Sequence, residues 1–232
     1  YSLDEAWKLV LRPNLSKLAH ILEPIVINRI MQASGILRAG NGHDSLSTRR
    51  KSIEPHPQDQ FPDVFDYLIN AARDIVSSHQ THSPQRAEVI ILTWLSLDVI
   101  LLKRLAIHAL TSQPTLTQER RVQICVEQKF LFESSVRTEV FFLLRHLYPS
   151  LQNENRERLL QAIEVGPDEV QSVRLDEEIK QRMIFRLIGW IAQCAPTCAL
   201  AKSKLASHKL VHDDWKIGEH PELSSWSTGF SF

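Results

Sequence analysis

PQRAEVIILTWLSLDVILLKRLAIHALT, from Pro84 to Thr111, is the stretch whose reading decides the fold. Ser83 has the chemistry of an N-cap, and Pro84 suits a first helical position, where the missing N–H has no partner to lose. A helix is therefore predicted to start here. From Val89 onward apolar side chains cover nearly every helical angle: Ile90, Ile91, Trp94, Leu95, Leu97, Ile100, Leu101, Leu102, Leu105, Ile107, Leu110. A helix apolar around most of its circumference must be buried on several sides. Taken as one helix it would be roughly 40 Å long at about 1.5 Å per residue. No comparable run of catalytic residue types occurs elsewhere, so this stretch specifies architecture rather than chemistry.

The composition around it is that of a globular protein. Hydrophobic residues make up 43% and charged residues 23% of the 232 positions, enough to build a sizeable core. The 27 basic residues balance 27 acidic ones, so no overall field draws a polyanion, which argues against nucleic acid as a bulk electrostatic partner. Only seven glycines occur, and nowhere does a sustained apolar/polar alternation call for a strand. The expected class is all-α. Cys125, Cys194 and Cys198 are few and odd in number, which fits a reducing cytoplasm better than a disulfide framework. The longest apolar-rich run, Val89 to Leu102, contains Asp98 and falls short of the roughly 18 to 20 residues needed to span a bilayer, so no membrane span is expected. The chain opens at Tyr1 without a methionine, as a piece of a longer protein would.

Reading outward along the chain, Ser2 and Glu5 have the form of a capping box for a short helix carrying Ala6, Leu9 and Val10, ended by Pro13. Asn14 is expected to cap a second helix running to about Ser34. Its apolar face would hold Leu15, Leu18, Ile21, Leu22, Ile25 and Ile30, with a kink at Pro24 and an end at Gly35. Residues 40–62 carry glycines, prolines and mixed charges without a period and are read as a long loop. Helices follow over 63–78, over 118–127 capped by Thr117, over 136–147, over 154–163 stopped by Gly166 and Pro167, over 175–193 and over 197–207. Residues 209–232 are read as an irregular tail containing Trp215 and Trp226. The whole is expected to be a single helical domain, 1–232. Helices in series with short links favour an irregular α-solenoid of HEAT-like stacked helix pairs, with an orthogonal helical bundle as the alternative.

Candidate sites are sparse. Metal ligation would require convergence among Glu54, His56 and Asp59, between His79 and His82, or among His212, Asp213 and Asp214. None has the spacing of a known ligand pair, and isolated surface histidines explain them as well. His43-Asp44 and His212-Asp213 each resemble half of an HD phosphohydrolase site, without the further histidine and aspartate that such a site needs. Cys194 and Cys198 flank Pro196 and lack a second pair, so zinc is not expected. Cys125 reads as a small core residue. Arg49, Arg50 and Lys51 form the one compact basic run, read as solvated charge or a phosphate-facing patch. No phosphate-binding glycine loop and no nucleophile elbow occurs, and no cofactor is expected.

Four segments together resemble a known group of proteins. RRKSIEPHPQDQFPDVFDYLINAARD (49–74), LLKRLAIHAL (101–110), VRTEVFFLLRHLYPSL (136–151) and GEHPELSSWSTG (218–229) are similar to parts of the helical-repeat regions of large bacterial antiphage defence proteins. In those proteins the region follows a sirtuin-like NADase or a STAND-type NTPase. The resemblance implies a non-catalytic sensor or scaffold module, not an enzyme in itself, that binds a phage-encoded or partner protein and relays the event to an effector elsewhere in the parent chain. The partner-contact loop would then comprise Arg49, Arg50, Lys51, Glu54, His56 and Asp59, with Glu54, His56 and Asp59 tying down neighbouring helix ends. The alternative is an all-helical metal-dependent hydrolase using the His and Asp positions above.

Overall fold

A computed structural model of the chain describes residues 3–41, 47, 50, 52–55, 64–167 and 176–217. The described residues are helical with no strand, as the composition predicts. The elements are α1 (Leu3–Ala6), α2 (Leu15–Asn41), α3 (Val64–His82), α4 (Pro84–Ser96), α5 (Ile100–Leu110), α6 (Gln118–Glu127), α7 (Arg137–Leu147), α8 (Asn153–Val165), α9 (Glu177–Cys194) and α10 (Ala199–Val211). Where the sequence reads as one domain, internal contacts divide it into two compact units, Tyr1–Leu116 and Thr117–Phe232.

In the first unit α2 packs on α3, α3 on α4 and α5, and α4 on α5. The predicted 84–111 helix is two helices. Leu97 and Val99 take extended backbone (ψ 142° and 105°), which breaks the rod. Just before the break the Thr93 and Ser96 hydroxyls bond back to the carbonyls of Val89 and Thr93 at 2.8 and 2.7 Å, competing with the helical ladder. The break lets α4 and α5 bury each other, which answers the all-round apolarity with two short packed helices. Leu101, Leu102, Leu105, Ala106, Ile107 and Leu110 are all fully buried.

The N-terminus also departs from the sequence reading. Between α1 and α2 the backbone is π-helical over Trp7–Leu11 and 3-10 over Arg12–Asn14. This turn of phase buries Trp7 and leaves Leu9 and Val10 exposed. Asn14 does not cap α2; its amide Nδ2 donates to the Val10 carbonyl at 2.8 Å. The helix then passes Pro24 and Gly35 and ends at Asn41, beyond the expected stop at Ser34. Ser2 of the expected capping box lies outside the described residues.

In the second unit α9 is the hub, packing on α7, α8 and α10, while α6 packs on α8. Thr117 caps α6 as predicted, its hydroxyl accepting from the Arg120 N–H at 3.1 Å. Asp176 caps α9 through the Glu178 N–H at 3.1 Å. The Trp190 indole donates to the Phe141 carbonyl at 2.9 Å, joining α9 to α7. Beyond α10, Trp215 lies edge-on to Phe185 at 5.3 Å and stacks on His212 at 3.7 Å; Trp226 lies outside the described residues.

Among the described residues of the second unit, two have left-handed backbone: Lys129 (φ 54°) after α6 and Gly166 (φ 80°) after α8. A Cβ at Gly166 would also stand 2.6 Å from Lys180 Cε. Gly166→Ala is expected to destabilise the second unit by about 1–3 kcal/mol, whereas Lys129→Gly, which relieves the left-handed strain, should be neutral or stabilising by up to about 1 kcal/mol. Urea unfolding followed by circular dichroism measures both; a clear loss for Gly166→Ala with no loss for Lys129→Gly is the expected signature.

Candidate functional site

Of the six predicted contact residues, Arg50 and Glu54 are described; Arg49, Lys51, His56 and Asp59 lie outside the described residues. Arg50 is not a solvated loop charge. It is 5% exposed, donates to Asn70 Oδ1 at 2.8 Å and lies 3.5 Å from Asp66 Oδ1, both on α3. Glu54 is half-buried. The physical reason is a strap whose backbone is held by helix arginines. Arg104 of α5, itself buried, donates from Nη1 to the Ser47 carbonyl and to the Arg50 carbonyl, the latter at 2.8 Å. Arg73 of α3 donates to the Ile53 carbonyl at 3.1 Å, and Ile53 is fully buried. Neither Arg73 nor Arg104 is marked out by a sequence motif. Their role was hidden because their acceptors are backbone carbonyls, which leave no residue-type signature.

The second polar centre lies inside the same unit. Glu23 of α2, only 8% exposed, accepts a fork from Arg86 of α4, with Nη2 to Oε1 at 2.7 Å and Nε to Oε2 at 3.2 Å. His79 of α3 is buried with Nε2 3.3 Å from Glu23 Oε2, out of line for a good hydrogen bond. Burial pushes the His79 pKa below its ordinary value; Glu23 pulls it up, and Arg86 and His20 press it down again. Residues two apart on a helix point about 200° apart, so turning Glu23 inward turns Ile21 and Ile25 outward. They are 51% and 54% exposed, where the sequence placed them on the core face. The inward face of α2 is Leu15, Ala19, Glu23, Val26, Ile30 and Ser34.

A third cluster gathers on Asp74 of α3. It accepts from the Trp7 indole at 3.3 Å, and pairs with Arg12 at 3.1 Å and Arg73 at 3.3 Å. Beside it is a groove of about 410 Å³ carrying Ser77, Ser78 and His82. Asp74, Ser78 and His82 share a helix face, but they do not form a nucleophile relay. The His82 Nδ1 lies 2.9 Å from the Ser78 carbonyl and 3.5 Å from its hydroxyl. An Nδ1 that donates to that carbonyl cannot accept the hydroxyl proton. His79 and His82 face different partners, and the His212 ring lies flat on Trp215. Among the described residues no group of three or more His, Cys, Asp or Glu could hold a metal ion. His43 and Asp44 lie outside them.

In the second unit the three thiols are free and differ in chemistry. Burial pushes Cys125 up to about 12 and Cys194 up to about 11. Cys198 sits at the N-cap of α10, 3.6 Å from the Tyr148 hydroxyl. Burial raises its pKa, but the N–H groups of Ala201 and Leu200, the Tyr148 hydroxyl and Arg156 together outweigh that, and the net shift is downward. Among the described residues no helix is long and apolar enough to cross a membrane. Comparison with family models, curated proteins and solved structures finds no match to this chain.

Two outcomes test these centres. Replacing Arg104 with Met strands two buried carbonyls and should cost about 2–4 kcal/mol, with faster tryptic cleavage within 47–55 in the native chain. For His79 the unfolded chain titrates near about 6.5 and the folded chain lower, so the unfolded state binds the proton first. Its contribution to stability is complete above about pH 6.5 and is lost as pH falls from there toward the folded value. The melting temperature should therefore drop between pH 7.5 and 5.5, and His79→Gln should flatten part of that drop.

Proposed function

We propose that this chain is a non-catalytic helical protein-interaction module whose docking surface is the outward row of α2. The observation that supports this is the exposure of Ile21, Ile25 and, about three turns on, Ile36, at 51%, 54% and 73%. Apolar side chains aligned on one face of a solvent-facing helix are the kind of surface a protein partner covers. Helical spacing sets Lys17 and Arg29, both exposed, on either side of the Ile21 and Ile25 pair. The partner that fits is a protein segment with an apolar stripe bordered by acidic residues.

The setting comes from the resemblance of the four quoted segments to antiphage helical-repeat regions, and from nothing else. On that reading the module works in the bacterial cytoplasm, in keeping with its free thiols, as a sensor or scaffold arm of HEAT-like kind. It binds a phage-encoded protein or a partner subunit and relays the event to an effector elsewhere in the parent chain.

The test uses the parent protein in phage-infected cells. A photo-crosslinking residue at Ile25 should trap one protein species that the same residue at exposed Lys202 does not. The double variant Ile21→Asp, Ile25→Asp should lower phage protection by at least about tenfold, as loss of a hot-spot pair does, while thermal stability changes by no more than about 0.5 kcal/mol per exposed site. Undiminished protection by a folded double variant overturns the proposal.

A further inference from the structure

Inside the first unit one carboxylate oxygen stands between two bases. Glu23 Oε2 of α2 accepts from Arg86 Nε of α4 at 3.2 Å and lies 3.3 Å from His79 Nε2 of α3, while Oε1 takes the other arm of the Arg86 fork at 2.7 Å. Among the described residues the buried His79 Nε2 has no hydrogen-bond partner. It is a nitrogen already at ion-pair distance from a carboxylate, and a proton with a small change of angle would make the bond. Glu23 favours protonation of His79. Burial, the largest influence, opposes it, together with Arg86 and with His20, which is exposed one turn before Glu23 on α2. Among the described residues, Glu5 of α1, Asp74 and His82 of α3, and Lys103, Arg104 and His108 of α5 are not among those influences.

The two bases differ in where they can take a charge. The Arg86 side chain is 54% exposed, so its guanidinium reaches water by turning outward. The His79 side chain is 6% exposed and has no such route. With His79 neutral, Arg86 balances Glu23. Once His79 takes a proton, two cations share one carboxylate in a poorly hydrated space, and a net buried charge is unfavourable. The group that leaves is the one water can receive. His79 then balances Glu23, Arg86 carries its charge to the surface, and the interior is neutral again.

We propose that proton uptake by His79 exchanges the partner of Glu23, from Arg86 of α4 to His79 of α3, and so opens a latch between α2 and α4 in mildly acidic surroundings. Arg86 is the third residue of α4, so the released end is that helix's first turn. α2 stays packed on α3, and its outward row keeps its rotation because Glu23 remains inward. The exchange goes beyond the docking reading and does not depend on it. By linkage the competition is reciprocal: Arg86 weakens proton binding at His79, and the proton weakens the Arg86 bond. The exchange sets in below the ordinary imidazole value of about 6.5.

The test is nuclear magnetic resonance on the intact chain with labelled arginine and histidine, titrated from about pH 7.5 to 5. At the upper end the Arg86 Nε–H signal, assigned by its loss in Arg86→Gln, should be displaced by its bond to the Glu23 carboxylate. It is expected to move to the position of a free guanidinium with the same midpoint as the His79 ring. In His79→Gln, whose amide takes no proton, it should keep its starting position throughout. Arg86→Gln should raise the His79 midpoint by about one pH unit or more, a tenfold gain in proton affinity, and this arm keeps the test valid should His79→Gln misfold. Four results would each overturn the proposal: an Arg86 signal that stays bonded while His79 titrates, one that moves equally in His79→Gln, a His79 ring that takes no proton in the folded chain over this range, or an unmoved midpoint in Arg86→Gln.

Discussion

A carboxylate buried on one helix sets the arrangement of the first unit. A carboxylate in an interior needs hydrogen-bond and charge partners, and the fork from Arg86 with His79 alongside supplies them to Glu23 from two other helices. That requirement fixes the rotation of α2. Once Glu23 points inward, geometry leaves no choice for Ile21 and Ile25, which must face solvent despite their hydrophobicity. The polar centre and the apolar docking row are two sides of one rotational choice, and the stability lost by exposing isoleucines is the reason the row invites a functional reading.

The contacts to Ser47, Arg50 and Ile53 follow the same logic with the roles reversed. Here charged side chains on rigid helices reach backbone carbonyls far away in the chain, Arg104 to Ser47 and Arg50, and Arg73 to Ile53. Irregular backbone in an interior must find donors for its carbonyls, and guanidinium groups with several N–H bonds do so economically. Arg50, taken for a surface charge because it sits between Arg49 and Lys51, is drawn inward by Asn70 and Asp66.

The second unit solves its packing around α9 instead. Trp190, Phe185 and the close approach of Ile217 to Gly189 join α9 to α7 and to the segment after α10. This arrangement also sorts the thiols, leaving Cys198 alone at a helix N-terminus beside Tyr148, while Cys125 and Cys194 are raised by burial.

What the sequence by itself determined is the all-α class and most helix positions, because capping residues and the spacing of apolar side chains act over a few residues. Thr117 at the head of α6 and Gly166 at the end of α8 were legible for that reason. Tertiary structure alone decided the break at Leu97, the rotation of α2, the burial of Arg50 and the division at Leu116. A run apolar on all sides is satisfied by one buried rod or by two helices that bury each other, and local pattern cannot tell them apart. An acidic residue amid isoleucines reads as a surface position until a guanidinium from a distant helix makes its burial favourable. These choices depend on partners tens of residues away, and nothing in a local window carries their energy.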